Sequence, residues 1–382
     1  MEKIVYDMLY LMACGIHEIV PEKKQFENID MEKLYKLSRF HLVEALVGMT
    51  LKKADIQLSK EWKDAVAKAI RKNILLDEER IKIENFMEQK GVWYMPLKGA
   101  ILKELYPEIG MRQMSDNDIL FDSRFSKLMQ DYMTSQGYEA ISIDKGNHDV
   151  YEKKPIYNFE MHKELYGENH QEKWRRYYKN VRERLIQNTP YSLGCHFSDE
   201  DFYVYMCTHA YKHYSGCGTG IRTLMDIYIY LEKKEQKMDF SYIKKECNLL
   251  GIAQFEEKSR KLCRKVFDKP LWKNKEELEY LLLPEEQKML EYYLTSGVYG
   301  TIDHMVQNAV SNIQKETGKA PRFFYLWKRL FPGEKIYQSY LDTDKYKWKI
   351  PVAWLYRIFS AVFDKERRKR VLKEILAIKK IK

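Results

Sequence analysis

From residue 1 to about residue 90 apolar side chains recur every three or four positions, and that period predicts helices, clearest over residues 43–49 and 62–76. A further helix over 81–90 is expected to stop at Gly91, a good left-handed terminator. The period then shortens. Residues 92–97 read as a buried strand with Pro96 near its end, and residues 100–105 as a short helix closed by Tyr106-Pro107. A strand is predicted around residues 118–121. Ser123 can cap the next helix, 124–136, which ends at Gly137. Residues 138–143 and 148–152 form a hairpin across the turn at 144–147, and 156–165 is a further strand. In that last strand Tyr157, Phe159 and Met161 alternate with Asn158, Glu160 and His162, giving one apolar and one polar face. From about residue 196 the helical period returns, over 202–213, 223–233, 242–248, 254–266, 284–296 and 352–363.

The order β-α-β-α-β-β-β between two helical regions predicts an α+β fold with a small mixed β-sheet and helices on one of its faces. The expected domains are an N-terminal helical region at 1–90, a core at 91–195, and a C-terminal helical domain at 196–382 ending in a basic tail.

Composition adds little to that picture. Of 382 residues 45% are hydrophobic, ordinary for a globular chain with a sizeable core. Lysine and arginine outnumber aspartate and glutamate by 66 to 56, a net charge of +10 that suits an anionic ligand and selects none. Cys14, Cys195, Cys207, Cys217, Cys247 and Cys263 form no C-x-x-C pair, which speaks against a zinc or redox motif and for free thiols in a reducing cytoplasm. The N-terminus lacks a signal-peptide pattern, and the longest apolar stretch, 350–363, is interrupted by Arg357 and too short to span a bilayer. The tail from Asp364 holds nine basic and three acidic residues with an apolar stripe of Val371, Leu372, Ile375, Leu376 and Ile378. Such a helix packs on its own domain or contacts a membrane surface or nucleic acid.

Candidate chemistry concentrates in the core. Asp116 and Asp118 are two apart, so an extended backbone points both carboxylates to one face, where a divalent metal ion is the usual reason to keep such a pair. The bland alternative is a solvated turn. Glu160 lies on the polar face of its strand, where it can supply a third acid or stand exposed. Lys98-Gly99 sits at a strand-to-helix turn. Glycine there permits close approach of phosphate, the helix start offers N–H groups, and Lys98 and Arg112 can neutralise phosphate oxygens. His162, and with less support His148, can line the site. His209 and His213, four apart on a helix, read as a face turned to the cleft or as packing. Gly216, Gly218 and Gly220 read as a flexible loop, and Arg222 as the helical partner of Asp226.

The run Leu97-Lys98-Gly99, Tyr106, Arg112, Asp116-Asn117-Asp118, Glu160-Met161-His162 resembles the DNA polymerase β-like nucleotidyltransferase superfamily, most closely a bacterial branch with the pattern L-K-G…Y…R…D-x-D followed by acid-x-H. The resemblance covers residues 92–165 closely. It implies a cytoplasmic enzyme that moves a nucleoside monophosphate from an NTP such as ATP to an acceptor, with release of pyrophosphate. It implies Mg²⁺ or Mn²⁺ held by Asp116, Asp118 and Glu160, with Lys98, Gly99, Arg112 and His162 at the nucleotide. Small molecule, sugar phosphate, protein or RNA all remain open as acceptor. The chain departs from the superfamily at Ala100, where a serine is usual, at Asn117, in a slot usually apolar, and at Glu160, where aspartate is commoner. A non-catalytic nucleotide- or RNA-binding module derived from this fold, or an envelope-associated interaction protein, is the alternative.

Overall fold

The computed structural model describes residues 2–26, 28–318, 320–331 and 350–381. Residues 332–349 and Lys382 of the expected C-terminal domain, and Met1 and Glu27 of the N-terminal region, lie outside the described residues. The chain divides into two units. The first comprises Met1–Tyr211 and Ile221–Glu291, and the second Lys212–Gly220 and Tyr292–Lys382.

The first unit opens with helices α1 (Lys3–Ile16), α2 (Met31–Phe40), α3 (Glu44–Lys53) and α4 (Lys60–Gln89). The two periodic stretches expected at 62–76 and 81–90 are one continuous helix. The polar residues between them are good helix formers, and Arg80 binds both Asp77 and Glu84 at 3.1 and 2.7 Å along the same face. Gly91 terminates α4 with φ +72°.

Five strands follow: β1 (Tyr94–Pro96), β2 (Asn117–Phe121), β3 (Glu139–Ser142), β4 (His148–Lys153) and β5 (Tyr157–His162). The one-turn helix α5 (Gly99–Leu102) lies between β1 and β2, and α6 (Ser126–Ser135) between β2 and β3. Asp122, not Ser123, caps that connection, accepting from Arg124 N–H at 3.1 Å. The strands form one mixed sheet in the order β1-β2-β5-β4-β3, parallel only between β2 and β5. This is the expected α+β fold. Its apolar face packs Ile119, Phe121, Phe159 and Met161 against Leu76, Ile83 and Met87 of α4 and Met129 and Met133 of α6.

Helices α7 (Glu172–Tyr178), α8 (Asp199–Tyr214), α9 (Ile221–Lys234), α10 (Phe240–Leu250), α11 (Ala253–Phe267), α12 (Lys275–Leu281) and α13 (Pro284–Ser296) follow along the chain. In the second unit α14 (Ile302–Thr317), α15 (Pro321–Leu330) and the tail helix α17 (Lys365–Lys380), which follows α16 (Ile350–Phe363), share a core of Val306, Val310, Ile313, Tyr325, Ala377 and Ile378. Of the tail's expected apolar stripe only Ile378 is buried; Val371, Leu372, Ile375 and Leu376 are exposed. Among the described residues no helix is long and apolar enough to cross a membrane. All six cysteines are free thiols.

Candidate active site

Sheet register decides which side chains meet. Asp118 lies opposite Glu160 and Leu120 opposite His162 across β2 and β5, while His148 of β4 lies opposite His162. Directly opposed residues share a face, so Asp118, Glu160, His162 and His148 all project from the side away from α4 and α6. Their neighbours impose this. Burying Ile119, Phe121, Phe159 and Met161 stabilises the sheet by roughly 6–12 kcal/mol, and a slip of one residue would turn all four outward. Asn117 shares that inner side, and its amide donates to Leu76 O of α4 at 2.9 Å. A polar residue is tolerated in this slot because a helix carbonyl receives it.

The turn after β1 is tied directly to the acids. Leu97 N–H donates to Asp118 O at 2.9 Å, extending the β1–β2 ladder. Lys98 then takes φ 41° and ψ −105°, a strained conformation for a residue with a Cβ, costing on the order of 1–3 kcal/mol. In that conformation its ammonium donates to Asp118 Oδ1 at 2.7 Å. Gly99 is closely packed: a Cβ there would lie 2.8 Å from both Arg112 Nη1 and Met114 Cε, and those side-chain ends would have to move. Part of the expected supply of free N–H groups is already used. Ala100 and Ile101 donate to the carbonyls of Leu97 and Lys98 at 3.2 and 3.1 Å, as the single turn of α5 closes on itself.

Helices clamp the loop that carries Asp116. Gly110, with φ +94°, lies against the Ile70 backbone of α4, where a Cβ would come within 3.0 Å of Ile70 N. Lys72 donates to Ser115 O at 2.7 Å, and Asn73 to Arg112 O at 3.3 Å. Arg222, at the start of α9, donates to Gln113 O at 3.0 Å.

Arg112 has a different partner from the one expected. Its Nε and Nη2 donate to the two Asp226 oxygens at 2.8 and 3.0 Å, and Tyr106 donates to the same carboxylate at 2.7 Å. Arg112 and Asp226 are both buried, so this fork anchors the loop to α9. Asp226 is therefore Arg112's partner, not that of Arg222 one turn away, and sequence spacing favoured the nearer cation. Arg222 carries a charge that acts on Asp116.

The acids occupy opposite electrostatic states. Burial and then the Asp118 and Glu160 carboxylates push the Asp116 carboxyl up to about 6, against the pull of Lys98 and Arg222. Asp116 makes no hydrogen bond or ion pair among the described residues. Burial also opposes ionisation of Asp118, but Lys98 and His162 overcome it and hold this carboxyl far below the usual carboxylate range. His162 Nε2 lies 2.8 Å from Asp118 Oδ1 and 3.5 Å from Glu160 Oε2, and His148 Nε2 lies 3.6 Å from the same Glu160 oxygen. Burial and then the His162 ring lower His148 below the ordinary imidazole value. Tyr205 of α8 is buried and feels both Asp118 and Glu160, so α8 walls the acid face.

Asp116, Asp118, Glu160, Lys98 and His162 are thus brought together, while Gly99 and Arg112 support them from the loop. Sequence reasoning gave His148 little weight and missed Arg222's place beside Asp116. The hairpin register was the available signal for His148, since it sets that residue level with His162. Hard oxygen donors on one face, with an unbonded carboxylate repelled by its neighbours, suit a divalent cation.

An acid face on a mixed sheet, backed by a cationic turn, is the arrangement of a phosphate-transferring site. The chain belongs to the family described as uncharacterised nucleotidyltransferase, whose pattern matches residues 27–268. That span holds every site residue named above. No curated protein and no solved structure shows significant similarity to the chain.

Proposed function

We propose that this protein is a metal-dependent nucleotidyltransferase of the DNA polymerase β-like superfamily. It moves a nucleoside monophosphate from an NTP to an acceptor hydroxyl, in the cytoplasm, with release of pyrophosphate. The observation that carries this reading is the register that sets Glu160 opposite Asp118 on the face that also feels Asp116. In the reaction the acceptor oxygen bonds to the α-phosphorus and the bond from that phosphorus to the bridging oxygen breaks. The acceptor proton passes to Glu160 Oε2, whose side chain is one quarter exposed and open to a substrate. Asp116, Asp118 and Glu160 would hold Mg²⁺ or Mn²⁺, which supplies charge neutralisation at the attacking and leaving oxygens. Lys98 exchanges its bond to Asp118 for a phosphate oxygen, and Arg222 adds a second cation beside Asp116. Arg112 fixes the loop, and His162 orients Asp118 and Glu160.

Incubation with NTPs labelled at the α- or the γ-phosphorus, Mg²⁺ and cell lysate tests the reaction. The expected result is α-label on an acceptor, γ-label only in pyrophosphate, and a loss of at least roughly 10³-fold in Asp118→Asn. Transfer of γ-label to the acceptor, or α-transfer that survives in Asp118→Asn, contradicts it. A second reading, a nucleotide-binding module without catalysis, draws on the fact that Lys98 and His162 already satisfy Asp118. Metal-dependent NTP binding with no transfer to any acceptor supports that one instead.

A further inference from the structure

Three ligand atoms on the sheet, from His148, Glu160 and His162, all lie within 4.8 Å of one another. Both imidazole Nε2 atoms face Glu160 Oε2, at 3.6 Å from His148 and 3.5 Å from His162. These separations are too long for hydrogen bonds, whose N···O distances run to about 3.2 Å. They match the edge of a coordination tetrahedron, which is about 3.4 Å when ligand bonds are about 2.1 Å. Both separations to Glu160 are those of ligands around a cation, and the two imidazole nitrogens lie within 4.8 Å of each other.

We propose that His148, Glu160 and His162 form a site for a borderline divalent cation, Zn²⁺ being the best fit, distinct in its chemistry from the oxygen-donor position at Asp116 and Asp118. Two imidazole nitrogens and one carboxylate are the donors such ions prefer, whereas Mg²⁺ prefers oxygen and keeps its water. Three protein ligands leave a fourth position open to water or substrate. His148 and His162 oppose each other across β4 and β5, and Glu160 lies two residues before His162 on the same face of β5, so the spacing of the trio is set by the ladder rather than by a loop.

His148 Nδ1 is buried and has no hydrogen-bond partner among the described residues, so the angle of this ring is set by the sheet and by the His162 ring 4.8 Å away rather than by an acceptor behind it. Asn147 Nδ2 lies 3.4 Å from His162 Nδ1 but closer to the carbonyls of Glu164 and Leu165, at 3.2 and 3.3 Å, which take both amide hydrogens. His162 is left able to present a lone pair at Nε2. The proton that Nε2 shares with Asp118 Oδ1 in the absence of an ion is the one that binding displaces. Asp118 keeps Lys98 as its partner when that happens. Glu160 belongs to both this site and the proposed reaction centre, yet the cation site requires no nucleotide and does not rest on the reaction.

The test uses the full chain, stripped with a chelator and free of nucleotide, titrated with Zn²⁺ and with Co²⁺ as a visible probe. The expected result is one ion per chain and Co²⁺ absorption of the intense four-coordinate type. His148→Ala and Glu160→Gln are each expected to weaken Zn²⁺ binding by at least the roughly 10–100-fold known for outer-shell changes. Cys217→Ser, a control for binding by an exposed thiol, should leave it unchanged. Melting curves report whether His148→Ala folds, and Glu160→Gln carries the test if it does not. Binding that survives in the folded variants, or that Mg²⁺ displaces at equal concentration, overturns the proposal. A chain that binds Zn²⁺ here and transfers no nucleotide refutes the reaction and not the site; the converse refutes the site alone.

Discussion

Asp116 and Asp118 are chemically the same residue two positions apart, yet the fold treats them oppositely. Asp118 receives Lys98 and His162 and stays ionised; Asp116 accepts no hydrogen bond among the described residues and is repelled by two carboxylates more than Lys98 and Arg222 attract it. The sign of the consequence follows from linkage. A carboxyl that titrates near 6 when folded and near 4 when unfolded keeps its proton longer in the native state, so stability falls as pH rises between those values. Asp116→Asn removes that cost. In EDTA at pH 7 this variant is expected to be more stable than the parent chain by on the order of 1–3 kcal/mol, with the difference vanishing below about pH 4, as thermal melts across pH would show. Equal melting temperatures at pH 7 would mean that Asp116 is not strained. At this scale the sequence was partly legible. Two aspartates with one residue between them, and a strict polar–apolar alternation at Tyr157 to His162, place the acids without coordinates. What spacing cannot reveal is partnership across the chain. Asp226 lies 114 residues from Arg112, and only the packing of α9 on the loop makes them a pair.

Elements rather than single residues hold the Asp116 loop in place, and the Arg112–Asp226 fork is the joint between that loop and α9. A buried pair of this kind is costly to break from one side, because the remaining charge is left without water or partner. Asp226→Ala is expected to cost on the order of 3–5 kcal/mol and to depress activity by displacing Asp116. Arg112→Met combined with Asp226→Leu is expected to cost less than Asp226→Ala alone, since no charge is stranded. Chemical denaturation of the single and double variants decides this, and a double variant worse than the single would show that the fork is more than an anchor. Helix boundaries illustrate where reading from sequence stops. The charged residues 77–80 interrupt the apolar period of α4 but not its backbone, because Arg80 bridges Asp77 and Glu84 and buried Glu79 accepts from Tyr138. The break in pattern was real, and its meaning was a set of partnered, partly buried charges on one helix.

On the scale of the molecule, chemistry and stability are divided by face. The sheet's inner face is a plain apolar core with α4 and α6, and on its outer side gather a strained Lys98, a repelled Asp116, a depressed Asp118 and an imidazole pair. Such a concentration of local costs marks a site whose stability has been traded for binding. The fold class was readable because periods of two and of three to four residues alternate so cleanly along the chain. The walls of the site were not, because α8 and α9 bring Tyr205 and Arg222 to it through tertiary packing that leaves no periodic trace.

The most direct measurement is anomalous diffraction from crystals soaked with Mn²⁺ and an NTP that cannot be cleaved between its α- and β-phosphates. The account predicts Mn²⁺ density roughly 2.0–2.6 Å from carboxylate oxygens of both Asp116 and Asp118, with Lys98 turned to the triphosphate. A nucleotide bound elsewhere, with Lys98 still on Asp118 and no cation beside the two aspartates, would contradict it.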